Sequence, residues 1–203
     1  MDDSWEVRPR TGIGRLQFGM TRAEVASLAG QLGPITYEND LGAGMGDIAA
    51  LLQPFGAWIS DEDVAATKAA MAEVAHVQQG MVQEHRGCGL MLTFQDDALA
   101  EIMAPCDGPP IHLGGVALFE APRIEAVAAL SRALGDQPFT DGENVAYRNA
   151  PLWLHGFMLG APGFDPHPDR QSAREVNILL RAAAMRGTAA VEWDRFHALA
   201  LPA

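Results

Sequence analysis

Lysine occurs once in this chain, at Lys68, and cysteine twice, at Cys88 and Cys106. Fourteen lysines and arginines stand against 26 acids, for a net charge of −12. Nucleic-acid binders carry clustered basic residues, so this balance excludes a phosphate-binding surface of that kind. It equally allows fast steering onto a basic partner. The sequence contains no stretch approaching the roughly 18 apolar residues that a membrane span needs. The charged start, MDDSWEVRPR, has no apolar core of a leader, and the expected setting is cytoplasmic, without membrane attachment. In a reducing compartment Cys88 and Cys106 are read as buried free thiols; a disulfide across the hairpin between them is the alternative.

Catalytic motifs are equally scarce. Serine occurs at positions 4, 27, 60, 131 and 172, none within GxSxG. The six histidines form neither HxH nor HExxH, so no metal site is expected, and no cofactor. LGAGMGD, from Leu41, is rich in glycine but lacks the Lys-Ser/Thr of a phosphate-binding loop, and Asp47 occupies the position where an anion would sit. Asp96-Asp97 reads as a turn rather than an acid–base pair. The chain is therefore expected to be no enzyme.

Forty-eight per cent hydrophobic content over 203 residues is enough for a substantial core. Its best-specified stretch is Gly12 to Gly33. Leu16, Phe18 and Met20 alternate as in a strand. Thr21 and Glu24 then form a capping box, with Met20 and Val25 placed as a hydrophobic staple. Val25, Leu28, Ala29 and Leu32 make one apolar stripe, which Gly33-Pro34 ends. Ile35 and Tyr37 begin a further strand. A short helix is expected in DIAALLQPFGAW and a longer one, capped by Ser60, from residue 61 to about 84. Leu90 to Phe94 and Leu99 to Met103 read as a hairpin, with Phe94 opposite Leu99.

PCDGPP, residues 105–110, is the clearest linker and divides the chain into 1–108 and 109–203. Beyond it the pattern returns. Sliding the sequence by 102 places Val127 on Val25, Leu130 on Leu28, Leu134 on Leu32 and Gly135 on Gly33. Val145 to Tyr147 and Leu152 to Leu154 form a hairpin, Val176 to Leu180 a strand, and 188–201 a closing helix. The expectation is an α+β protein of two similar strand–helix–antiparallel hairpin halves, with a helical insertion at about 45–84 in the first.

The motif GIGRLQFGMTRAEVxxLxGxLG resembles a strand-to-helix signature of small bacterial α/β immunity proteins encoded beside polymorphic toxins. More loosely it is similar to the outer-membrane assembly lipoprotein and β-lactamase-inhibitor-like fold. Residues 42–83 depart from that pattern. The resemblance implies a non-enzymatic immunity protein that occludes the active site of a cognate toxin with a basic surface. Contact residues are then expected among Asp61, Glu62, Asp63 and Glu73 of the inserted helix. A second set is the Pro-rich loop, with Asp165, His167, Asp169 and Arg170. The alternative is a small-ligand or peptide-binding module using the crevice between the halves.

Overall fold

A computed structural model describes residues 5–42, 60–158, 176–183, 185–186 and 193–201. The expected short helix at 47–58 and the loop at 160–172 fall outside them.

The chain begins with three two-residue strands, β1 (Val7–Arg8), β2 (Gly12–Ile13) and β3 (Leu16–Gln17), joined as a small antiparallel sheet. The lead-in is thus tied down, with Val7 buried. The corner after β3 is fastened to the main sheet by Gly19 N–H donating to Leu99 O, and Leu99 N–H to Met20 O. Thr21 then caps α1 (Arg22–Ala26): its hydroxyl accepts from Glu24 N–H, and the Glu24 carboxylate accepts from Thr21 N–H at 2.8 Å. The expected single helix is two pieces, because the chain loosens at Ser27–Leu28 before α2 (Ala29–Leu32). Val25, Leu28 and Leu32 are nevertheless buried on one side, whereas Ala29 is exposed. Gly33 turns the chain at φ 72°.

Next comes β4 (Ile35–Asp40), and then α3 (Asp61–Gln78), capped by Ser60. The expected helix to residue 84 is shortened. Gly80, at φ 73°, ends it, and Met81–Arg86 extends as β5 between β4 and the next strand. Cross-strand pairing on both sides outweighs the helical reading of Met81 and Val82. The hairpin of β6 (Met91–Gln95) and β7 (Ala98–Pro105) pairs Phe94 with Leu99 as expected. Asp96 and Asp97, both at positive φ, make its two-residue turn.

After residue 105 a second small hairpin, β8 (His112–Leu113) and β9 (Val116–Ala117), leads into α4 (Arg123–Leu134), which Gly135 ends in the left-handed conformation. Pro122 precedes that helix as its cap residue. The strands β10 (Pro138–Thr140), β11 (Val145–Tyr147), β12 (Leu152–His155) and β13 (Asn177–Arg181) follow. Of the expected closing helix at 188–201, the described residues 193–201 instead hold a 3₁₀ turn at Trp193–Arg195 and a strand, β14 (His197–Ala198), which pairs with β10; 188–192 lie outside the described residues.

These strands form one antiparallel nine-stranded sheet in the order β14-β10-β11-β12-β13-β7-β6-β5-β4. The central pair joins residues 98–105 to residues 177–181, so strands from both sides of the 105–110 linker share one sheet. Side chains alternate across it. Leu92, Phe94, Ile102, Leu154, Ile178 and Leu180 face one way, into a single core with Val25, Leu32, Val127 and Leu130 of the helices. No helix among the described residues is long and apolar enough to cross a membrane.

Candidate functional site

Because α1, α2 and α4 occupy one face of the sheet, the alternate residues of each strand line the opposite face. Strand register places Met91, Met103, Leu179, Trp153, Ala146 and Phe139 in one row across it. The adjoining row runs Thr93, Glu101, Arg181.

Arg181 is the centre of this face. Its Nε donates to Glu101 Oε2, while Thr93 Oγ1 donates to Glu101 Oε1 at 3.3 Å. The same guanidinium lies 4.8 Å from the Trp153 ring centroid, a cation–π distance. Trp153 in turn meets His155 edge-to-face at 5.9 Å. Burial, and then the positive charge of Arg181, push the His155 imidazole below its ordinary pKa. Farther along, the Arg148 guanidinium lies 4.4 Å from the Phe139 centroid and 5.1 Å from that of Trp193.

Two cavities open beside Arg181. One, of about 470 Å³, lies between α3 and the sheet and is lined by Glu73, Val74, Thr93, Glu101 and Arg186 among others. Arg186 is fixed there by Asp96, whose carboxylate accepts from Nη2 at 2.7 Å. The other, of about 360 Å³, is bounded by Arg148, Trp153, Leu179 and Trp193.

The expected contact residues divide. Glu62, Asp63 and Glu73 are exposed on α3, and Glu73 also reaches the larger cavity. The Asp63 carboxylate accepts the Ser60 hydroxyl at 2.6 Å, so it serves the helix cap as well as the surface. The Asp61 side chain, and Asp165, His167, Asp169 and Arg170, lie outside what is described. Glu101, Arg148, Trp153, Arg181 and Trp193 were missed by sequence reasoning. For Glu101, Trp153 and Arg181 a signal was present, since with Thr93 they occupy the odd phase of strands whose neighbouring even positions are core.

Cys88 and Cys106 are half-buried thiols not joined by a disulfide, and burial raises both thiol pKa values. Among the described residues no three His, Cys, Asp or Glu side chains are grouped to hold a metal. Comparison with family models, with curated proteins and with solved structures finds no match to the chain.

Proposed function

We propose that this chain is a non-enzymatic immunity protein that neutralises a cognate bacterial toxin by covering its active site. One observation carries the reading: the C-terminal end of acidic α3 meets the end of β4, which among the described residues is the last strand of the sheet. Gly42, just past β4, packs against Gln78 and Gln79 at the helix end, and the β4 residue Asp40 shares a surface hollow with Ala75 and His76 of α3. On β4 Tyr37 is 56% exposed and Ile35 44%, and α3 exposes Val74, at 46%, together with Glu62, Asp63 and Glu73. Apolar and charged side chains exposed together are what a protein interface needs, and among the described residues β4 pairs with one strand, β5, as an edge suited to strand addition does. The acids would meet a basic toxin groove that otherwise holds an anionic substrate.

The scaffold supporting that surface is read as two copies of one strand–helix–hairpin unit, the first carrying α3 as an insertion. Val25 and Val127 are both fully buried, Leu32 and Leu134 follow at the same spacing, and Gly33 and Gly135 both end their helices at positive φ. Phe18 N–H donates to Thr11 O, and Leu118 N–H to Ile111 O, at equivalent points of the two small hairpins.

The test is co-purification with the toxin domain encoded by the adjacent gene, followed by affinity measurement at rising salt. The triple reversal Glu62→Lys, Asp63→Lys and Glu73→Lys is expected to weaken binding about tenfold or more and to flatten its salt dependence. Failure of the wild-type protein to bind or inhibit that toxin would overturn the reading.

A further inference from the structure

We propose that the 360 Å³ cavity beside Trp153 and Trp193 binds a small planar aromatic anion, its ring against the tryptophans and its carboxylate or phosphate on the Arg148 guanidinium.

The volume lies in the range of small-molecule sites, and the cavity combines apolar walls with few polar groups. Its floor is Leu179 and Trp153 on the sheet, and the chain after β13 together with Trp193 builds one side. The site shares Arg181 with the cavity beside α3 but includes no residue of that helix, so it is separate from the toxin-binding surface.

Charge selects the ligand. In a chain of net charge −12 this pocket presents two arginines. Two nearby carboxylates are already engaged. Glu101 accepts from Arg181 and Thr93, and Asp136 accepts from the Asn149 backbone and side-chain amides at 2.8 and 2.9 Å. Arg148 differs from Arg181 in having no carboxylate within ion-pair reach among the described residues. Its contacts are the rings of Phe139 and Trp193. Cation–π packing uses the flat faces of a guanidinium. Its N–H donors lie in its plane, in the fork that matches a carboxylate or phosphate. Phe139 and Trp193, themselves edge-to-face at 5.6 Å, contact the guanidinium with two differently inclined rings and keep it at the mouth of the cavity. An anion bound there meets a cation already held beside the tryptophan wall.

The ring requirement follows from the walls. Trp153 is held by Arg181 and His155, and Trp193 by Phe139 and Phe196, so both indoles are fixed platforms for stacking.

The test titrates the whole chain with 1-naphthoate and with adenosine monophosphate, each against its uncharged counterpart, 1-naphthalenemethanol or adenosine. Tryptophan fluorescence and calorimetry read binding. At least one anion is expected to bind about tenfold more tightly than its neutral counterpart. Preference for naphthoate assigns a carboxylate ligand, and preference for the nucleotide a phosphate. Arg148→Gln, at an exposed position, should keep the native circular dichroism and abolish the preference; Trp193→Leu should weaken both members of a pair about tenfold. Equal affinity for anion and neutral compound, no binding of any of the four, or a preference that survives Arg148→Gln would overturn the proposal.

Discussion

Glu84 and Arg86 leave the same strand two residues apart and pair with each other inside the protein, their side chains 1% and 3% exposed. The second oxygen of Glu84 accepts from Arg22 Nε at 2.8 Å, so one buried carboxylate ties α1 to β5. Among the described residues Arg86 Nε has no hydrogen-bond partner, which makes the Arg86 charge depend heavily on Glu84. Glu84→Leu should therefore cost about 3–5 kcal/mol, because it strands a cation in the interior. Glu84→Leu combined with Arg86→Leu should recover most of that loss. Urea unfolding of the single and double variants checks both statements.

Thr21→Ala removes the hydroxyl that caps α1 and should destabilise the protein by about 1 kcal/mol. The Thr21 backbone and hydroxyl also hold the Glu24 carboxyl below its ordinary pKa of 4.5. A depressed carboxyl pKa means that the folded state favours the ionised form. The stability it supplies is present above pH 4.5 and is lost as the pH falls through the lower folded-state value. Acid unfolding of wild type and Glu24→Gln should converge once the carboxylate is protonated.

His155 gives a second pH signature. Burial and Arg181 lower its pKa from 6.5, against the opposing charges of Glu101, Asp141 and Glu143. Folding thus favours the neutral ring. The associated stability is full above pH 6.5 and declines as the pH falls through the folded-state value. The urea midpoint of the wild-type protein should drop across that interval more than that of His155→Gln.

Two glycines at the small hairpins separate steric collision from backbone strain. At Gly12, φ is 147° and an added Cβ would stand 2.1 Å from Leu16 O. At Gly114, φ is 57° and nothing lies within 4 Å of an added Cβ. Gly114→Ala should cost about 1–2 kcal/mol, the strain of a left-handed alanine. Gly12→Ala should cost more, because the carbonyl of β3 must also move. Thermal unfolding of the two variants gives the comparison.

Local pattern made some elements legible and left others hidden. The Thr21–Glu24 cap, the Phe94–Leu99 pairing and the left-handed Gly135 all follow from chemistry within a few residues. The break at Ser27–Leu28 did not, since an apolar stripe survives a loosened turn. Residues 81–84 were misread because Met81 and Val82 suit a helix as well as a strand, and the preference came from neighbours β4 and β6. The sheet face opposite α1, α2 and α4 was the larger omission. Arg148 and Trp193 are 45 positions apart. Their stacking is visible only after β10, β11 and the 3₁₀ turn have been brought together.

The pairing of β7 with β13 has a kinetic consequence. During synthesis β7 is complete more than 70 residues before the first residue of β13 is added. At the ribosome's pace of about 5–20 residues per second, a nascent chain carries one side of β7 without its partner strand for several seconds. An in-frame stop between β12 and β13 would make that transient permanent, leaving Ile102 and Met103 on an exposed edge that invites strand-to-strand aggregation.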